Sequence, residues 1–160
     1  MLDWRWDFTI DILPRLMVAT GNTLMAAAFG YAIAMVLGLV FALAQRTPSR
    51  AVTMIVREMV EFIRSTPLVL QIFFVFYVGP QFGLRLSPWT AGMIAIGLHY
   101  AAYLSEVYRG GLDSVPKGQW EAATSLNLST ARTYFRVIIP QAMPPSLAGM
   151  GNYLVGILKD

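Results

Sequence analysis

Apolar residues are concentrated in four long stretches of this 160-residue chain, and the charged residues lie outside them. The stretches without Asp, Glu, Lys or Arg are residues 16–44, 65–84, 86–105 and 137–158. A helix needs about 20 predominantly apolar residues to cross the hydrocarbon core of a bilayer, and each stretch reaches that length. The pattern therefore predicts an all-α polytopic membrane helical bundle that forms one transmembrane domain over residues 1–160.

The predicted spans follow these stretches and end near the flanking charged or turn-forming residues. We place them at about residues 18–44, 57–78, 88–108 and 145–159. Only 13% of the residues are charged, whereas a soluble domain carries about 25%. A large helical core of a soluble protein is the alternative that remains open at this point.

Lys and Arg are distributed unevenly between the two faces that four alternating spans define. The face with the N-terminus and the 79–87 loop holds Arg5, Arg15 and Arg85. The opposite face holds Arg46, Arg50, Arg57, Arg64, Arg109, Lys117, Arg132 and Arg136. Because basic residues near span ends favour the cytoplasmic side, the N-terminus is predicted outside and the 109–144 segment in the cytoplasm.

The first span carries a ladder of small residues at intervals of four. The ladder consists of Ala26, Gly30, Ala34, Gly38 and Ala42. On a helix these positions form one stripe, along which a second backbone can approach closely. We therefore expect a helix-packing seam there.

The inner end of the second span combines charge with a helix-breaking residue. Arg57 and Glu61 are four residues apart and Glu61 and Arg64 three, so one helix face can carry an Arg–Glu–Arg chain. Pro67 removes one backbone hydrogen bond and is expected to kink the helix. These four residues are our gate or kink candidates. The alternative is a solvated helix entrance whose arginines reach up to the headgroups.

The third span contains the single histidine of the chain. His99, Tyr103 and Glu106 are spaced four and three apart and share one helix face, so they are candidates for a substrate path. A plain hydrogen bond from His99 to a neighbouring helix is the alternative. With no cysteine and no second ligand near His99, we predict neither a metal site nor catalytic residues. Basic residues are too sparse for a nucleic-acid groove.

The long polar segment 109–144 is predicted to fold into two short helices. Ser114 is expected to cap a helix with Pro116 in its first turn, running to about Leu126. Asn127 suits the left-handed position after a helix, and Ser129 can cap a second helix that stops before Pro140. Two such helices joined by a tight elbow make a protruding hook rather than a plain loop.

The predicted hook exposes small residues that suit a groove on another protein. The exposed set is expected to include Glu121, Ala122, Ala123 and Ser125. Trp120 and Leu126 either brace the hook or enter that groove.

The segment "EAATSLNLSTARTYFRVIIPQAMP" of the predicted hook is similar to the cytoplasmic EAA loop of permease subunits of bacterial ATP-binding-cassette importers. "FIRSTPLVLQIFFVFY", "AAYLSEVYRGGLDSVPKGQWEAA" and "GNYLVGILKD" resemble the polar amino-acid uptake branch. The resemblance covers nearly the whole chain and implies the type I importer permease fold. It departs from the family pattern at Asn127 and Ser65, where the family has Gly, and at "LKD", where the family continues through another span. We therefore expect a permease truncated before its last span.

The resemblance also implies partners and a coupling surface. The ATPase-coupling residues by motif position are Gln119, Trp120, Glu121, Ala122, Ala123, Leu126 and Asn127. The implied protein is a non-catalytic subunit in the cell inner (cytoplasmic) membrane. Its implied partners are two ATP-binding-cassette ATPase subunits, a second permease that is identical or homologous, an external solute-binding protein and the lipid bilayer, with no nucleic acid. ATP and Mg are used by the partner ATPase, and the chain itself binds no cofactor directly.

The implied function is ATP-driven import of a polar amino acid or an amino-acid-like zwitterion, including compatible solutes such as ectoine. Two other classes remain open from the residues alone. An ion-driven secondary transporter also needs intramembrane charges, and often shows inverted repeats. A structural or signalling membrane protein would use the seam for assembly and the hook for another partner. Dependence on ATP distinguishes the importer from both.

Overall fold

The computed structural model describes residues 6–160, and these residues form seven α-helices. The helices are α1 (Trp6–Ala44), α2 (Arg50–Ser65), α3 (Leu68–Phe73), α4 (Pro88–Asp113), α5 (Lys117–Ser125), α6 (Thr130–Thr133) and α7 (Ile139–Lys159). A π-helical turn, Phe74–Val78, and a 3-10 turn, Gly79–Phe82, extend α3. A second π-helical turn, Tyr134–Ile138, joins α6 to α7.

The packing of α1 against α4 is the largest helix–helix contact in the described chain. Ala27, Gly30, Ala34, Gly38 and Ala42 are the buried residues of α1. The predicted seam is therefore present, except that Ala27 takes the first place and Ala26 is only half-buried. A Cβ on Gly38 would lie 3.0 Å from the carbonyl oxygen of Ala101, so the two backbones are almost in contact.

Over residues 24–44, the remaining surface of α1 is apolar and exposed or partly exposed. Phe29 and Val40 are typical, with 58% and 53% of their surface exposed. Judged by length and composition, α1 qualifies as a membrane-spanning helix on its own, and α2 with Leu68–Phe82 qualifies as a bent pair. The crossing of the membrane by α4 and α7 stays a prediction from the sequence.

The second predicted span, residues 57–78, is not one kinked helix. The chain bends by 106° between α2 and Leu68–Phe82, and Thr66 and Pro67 have extended backbone at the break. Gln71 stabilises it, because its Nε2 donates to the carbonyl oxygens of Ile63 (2.8 Å) and Thr66 (3.2 Å). Side-chain donors of this kind allow a broken helix to persist where water is scarce.

The helices extend beyond the other predicted spans. α1 begins at Trp6, before residue 18, α4 ends at Asp113, after residue 108, and α7 begins at Ile139, before residue 145. A helix can continue past the hydrocarbon region, so the limits of these spans in the membrane stay a prediction. The extension of α4 packs closely on α7, because a Cβ on Gly111 would overlap the Ser146 side chain.

Candidate functional site

The hook is formed by α5, an elbow and α6 (residues 117–133). Pro116, not Ser114, occupies the position before α5. The Ser114 hydroxyl donates back to the carbonyl of Gly111, so the predicted cap at Ser114 is wrong. In the elbow Asn127 has φ of 52°, the left-handed backbone expected there. The Ser129 side chain accepts from the backbone N–H of Arg132 and caps α6, as predicted.

The hook is attached to α7 rather than standing free of it. The second helix does not stop before Pro140, because the π-helical turn carries it directly into α7. Pro140, the second residue of α7, has no N–H to donate. The chain nevertheless stays helical, because a π turn lies just before Pro140 and keeps helical backbone angles. The predicted stop is therefore wrong.

A small apolar cluster fixes the inner side of the hook. Val115, Ile138 and Ala142 are buried in it, and Trp120 packs against them. The Trp120 ring also meets the ring of Tyr134 edge to face, with centroids 5.3 Å apart. Of the two roles considered for Trp120, the structure shows it bracing the hook.

The outer side of the hook exposes a different set of residues. Glu121 and Ala122 are exposed, and Leu126 is 73% exposed, which leaves it free to enter a groove. Ala123 is 2% exposed, so the expectation that it lies on the outer surface is wrong. α5 packs on the 134–138 turn, and this contact turns Ala123 inward. Gln119 is held from α7, because Gln141 Nε2 donates to its Oε1 over 3.2 Å.

A cavity of about 520 Å³ with both polar and apolar lining lies at the α2–α3 break. Its polar lining comes from Arg64, Ser65, Thr66, His99, Tyr103 and Asp160. The rings of His99 and Tyr103 are 5.1 Å apart, and the Arg64 guanidinium lies 5.3 Å from the Tyr103 ring centre. A volume in this range suits a small ligand. The structure therefore brings two of the three substrate-path candidates together beside a cation and a carboxylate.

Glu106, the third candidate, lies in a separate cavity of about 330 Å³. That cavity is also lined by Gln45, Thr53, Arg57, Val60, Glu61 and Arg109. The Glu106 carboxylate lies 2.5 Å from Arg109 Nη2. His99 and Glu106 are seven residues apart on α4, which is about 10 Å along the helix axis. They line different cavities.

The predicted Arg57–Glu61–Arg64 chain forms only in part. Arg64 Nη1 lies 3.7 Å from Glu61 Oε2, while Arg57 faces the Glu106 cavity without an ion pair among residues 6–160. The 106° bend turns the chain away just after Arg64 and allows its guanidinium to reach Tyr103. The Tyr103 hydroxyl also donates to the Arg64 carbonyl over 3.3 Å, which ties α4 to the break.

Three polar residues of these regions were not identified from the sequence. Gln71 supports the break, Asp160 accepts from the Tyr100 hydroxyl beside the larger cavity, and Arg46 pairs with Asp113. The partners of Arg46 and Asp160 are 67 and 60 residues away in sequence, so no local spacing could indicate them. For Gln71, a polar side chain four residues after Pro67 was the available signal.

The family described as "Binding-protein-dependent transport system inner membrane component" matches residues 34–160 of this chain. A probable amino-acid ABC transporter permease of Sinorhizobium fredii is 48% identical over 98% of the chain, which spans 71% of that protein. The L-cystine transport system permease of Bacillus subtilis is 38% identical over 86% of the chain, and the chain spans 57% of its length. The nopaline transport system permease of Agrobacterium fabrum is 35% identical over 94%, with 67% of its length spanned.

Two solved structures have similar folds. The crystal structure of an amino acid ABC transporter with histidines has a TM-score of 0.90 and 30% identity, covering 99% of this chain and 74% of that one. The MetNI methionine ABC transporter, in an inward-facing conformation, has a TM-score of 0.70 over 98% of this chain and 74% of its own. At 15% identity, this second likeness shows the fold alone.

Proposed function

This chain belongs to the family of binding-protein-dependent transport system inner membrane components, and we propose that it forms half of the solute pathway of an ATP-driven importer of polar amino acids. It is a non-catalytic permease subunit of the inner membrane, and ATP hydrolysis belongs to a separate subunit. The family resemblance and the all-helical permease fold predicted from the sequence are confirmed.

The proposed assembly contains two such permease halves, two ATPase subunits that use ATP and Mg on the cytoplasmic face, and an external solute-binding protein. The ATPase subunits dock on the hooks, and their closure and separation bias the spans between outward-open and inward-open forms. The observation that carries this proposal is the hook itself. Its inner side is fixed by Trp120 and the apolar cluster, while Glu121, Ala122 and Leu126 are exposed for a partner.

Co-purification with the ATPase tests the docking surface. The protein is expressed with the ATPase and extracted in detergent, with and without Ala122→Arg. The test uses the exposed Ala122, because a change at the buried Ala123 would disturb the hook from inside. Ala51→Arg is the matched control, since Ala51 is an exposed alanine at the start of α2, outside the hook.

We expect stoichiometric ATPase with the unaltered protein and with Ala51→Arg, and loss of the ATPase with Ala122→Arg. Equal recovery in all three samples would remove the hook from the docking surface. Failure of the unaltered protein to retain any ATPase would contradict the importer assignment and favour an ion-driven or structural role.

For the substrate, we propose a polar amino acid that passes the cavity at the α2–α3 break. The Arg64 guanidinium and the Asp160 carboxylate lie in one lining, which suits the opposite charges of a zwitterion. His99 and Tyr103 contact the solute there, and Glu106 lies further along the path towards the cytoplasm. Relatives named for amino acids, for L-cystine and for nopaline support this class.

Uptake of radiolabelled amino acids into proteoliposomes tests the cavity. Tyr103→Phe keeps the ring and removes the hydroxyl, whereas His99→Leu removes the polar ring nitrogens from a residue that is 8% exposed. We expect both variants to retain the ATPase and to slow uptake, with Tyr134→Phe as a control outside the cavity. Unchanged uptake in both cavity variants would place the path elsewhere.

We propose that the break at Pro67, with Arg57, Glu61 and Arg64 beside it, moves as the inner gate. Two short helices at a 106° bend can change their angle by rotation at Thr66 and Pro67 without disturbing either helix. Pro67→Ala restores the missing N–H and favours a straighter chain. We expect slower uptake with normal ATPase binding, and wild-type uptake would argue against a gate at this point.

The proposed topology has the N-terminus outside and the hook in the cytoplasm. The chain contains no cysteine, so single cysteines introduced on each side report accessibility without a background. Ser125→Cys on the hook is expected to react with a membrane-impermeant maleimide only in inside-out vesicles. Gln81→Cys, in the turn after α3, is expected to react only in right-side-out vesicles, and the reverse result would invert the topology.

A further inference from the structure

Arg46 lies where three parts of the cytoplasmic end meet. It follows α1 directly, in the loop that leads to α2. Its Nη1 donates to Oδ1 of Asp113, the last residue of α4, over 2.7 Å. Its guanidinium carbon lies 5.9 Å from the centre of the Trp120 ring in the hook, which is within the range of a cation–π contact. One side chain therefore contacts both α4 and the hook from the end of α1.

The Arg46 contact is part of a longer ionic network. Oδ2 of Asp113 accepts from Arg109 Nη1 over 3.3 Å, and Arg109 in turn pairs with Glu106. Isolated exposed ion pairs contribute little, whereas a network with a shared carboxylate holds its members in one geometry. The Arg46 side chain is only 28% exposed, so neighbouring groups cover most of it.

The hook has two attachments besides the short linker that joins it to α4. That linker, residues 114–116, places Val115 in the apolar cluster of the hook. On the α7 side, Trp120 packs against Tyr134 and the apolar cluster that contains Ile138. On the α1 side, Arg46 approaches the same indole ring. Trp120 is therefore held between the Tyr134–Ile138 turn, which continues into α7, and Arg46 at the end of α1. These two parts must move together if movement of the hook is to move the spans.

We propose that Arg46 is a positioning residue that transmits movement of the hook to the α1–α4 pair. The inference rests on the proposed function, in which an ATPase subunit moves the hook. α1 and α4 act as one body, because a Cβ on Gly38 would lie 3.0 Å from the backbone of α4. Without Arg46, the hook loses its side-chain contact with the α1–α4 pair, and part of its movement is lost before it reaches the spans.

The test is the number of amino acids transported per ATP hydrolysed by the full complex in proteoliposomes. Arg46→Gln removes the charge and keeps a long polar side chain. Arg50→Gln is the matched control, because Arg50 is an exposed arginine in the same basic region, at the start of α2. Arg46→Lys retains the cation beside Asp113 and the Trp120 ring.

We expect Arg46→Gln to bind the ATPase and hydrolyse ATP normally, while transport per ATP falls at least about twofold. Arg50→Gln is expected to match the wild type, and Arg46→Lys is expected to retain part of the transport that Arg46→Gln loses. A normal transport ratio in Arg46→Gln overturns the proposal and leaves the proposed function intact. Loss of ATPase binding in Arg46→Gln also overturns it, because the residue would then serve docking. If the unaltered protein binds no ATPase, the proposed function fails and this inference with it.

Discussion

Substitution of Gly38 by alanine is the sharpest test of the α1–α4 seam. A Cβ at this position would lie 3.0 Å from the Ala101 carbonyl oxygen, 3.0 Å from Leu104 Cβ and 3.2 Å from the Ser105 nitrogen. Two of these three atoms belong to the α4 backbone and cannot move without moving the helix. The two helices must therefore separate locally by a few tenths of an ångström.

Two opposing effects determine how much Gly38→Ala changes the free energy of unfolding. Overpacking of a close contact costs about 1–3 kcal/mol. Replacing glycine by alanine within a helix gains up to about 1 kcal/mol in helix propensity. Gly21 isolates the second effect, because it lies on the same helix and a Cβ there would meet no atom within 4 Å. Because both variants share the propensity gain, the difference between them is the overpacking cost, about 1–3 kcal/mol, with Gly38→Ala the less stable.

The assay is equilibrium unfolding in mixed detergent micelles, with helix content as the signal for both variants and the wild type. We expect Gly21→Ala to be as stable as the wild type or slightly more stable, and Gly38→Ala to unfold at a lower denaturant fraction. Equal shifts in the two variants would refute the close approach of α1 and α4 at Gly38. They would also remove the rigid pair on which the role of Arg46 depends.

Three further substitutions test the hook. Asn127→Val is expected to cost about 1–2 kcal/mol in unfolding free energy, since a β-branched residue tolerates a φ of 52° poorly, whereas Asn127→Gly stays near the wild type. Ser129→Ala removes the α6 cap and is expected to cost about 1 kcal/mol, seen as faster hydrogen exchange at the Arg132 amide. Ile138→Ala empties a fully buried position and is expected to cost about 2–5 kcal/mol, with earlier proteolysis of the hook; the control Phe135→Ala, at a 72% exposed position, leaves cleavage unchanged.

Features encoded within a few residues were predicted well from the sequence. The long helices follow from apolar stretches, and the elbow follows from Asn127 and Ser129, whose preferences act locally. The seam on α1 follows from a spacing of four, because small residues in register allow two backbones to approach. The first rung shifts from Ala26 to Ala27 because an interval of four drifts slowly around a helix of 3.6 residues per turn.

Features that depend on distant contacts could not be predicted in this way. Pro67 indicates a bend. The hydrogen bond from the Tyr103 hydroxyl to the Arg64 carbonyl also holds this bend, and the two residues are 39 positions apart in sequence. Ala123 lies in a short helix of small and polar residues, where only packing on the 134–138 turn decides which side is inner. The sequence does not distinguish Arg46 from the other basic loop residues. Only its contact with Asp113 in the folded protein does.

The π-helical turn Tyr134–Ile138 determines the rotational phase of α7. A π turn holds about one residue more than the α-helical turn it replaces, and one residue corresponds to about 100° around the helix axis. Deleting a single residue there would turn the buried face of α7, with Ala142, Ser146 and Ile157, away from α4. A surface loop can gain or lose a residue without changing the helices that it joins. The number of residues in this turn is constrained, because it determines which face of α7 is buried.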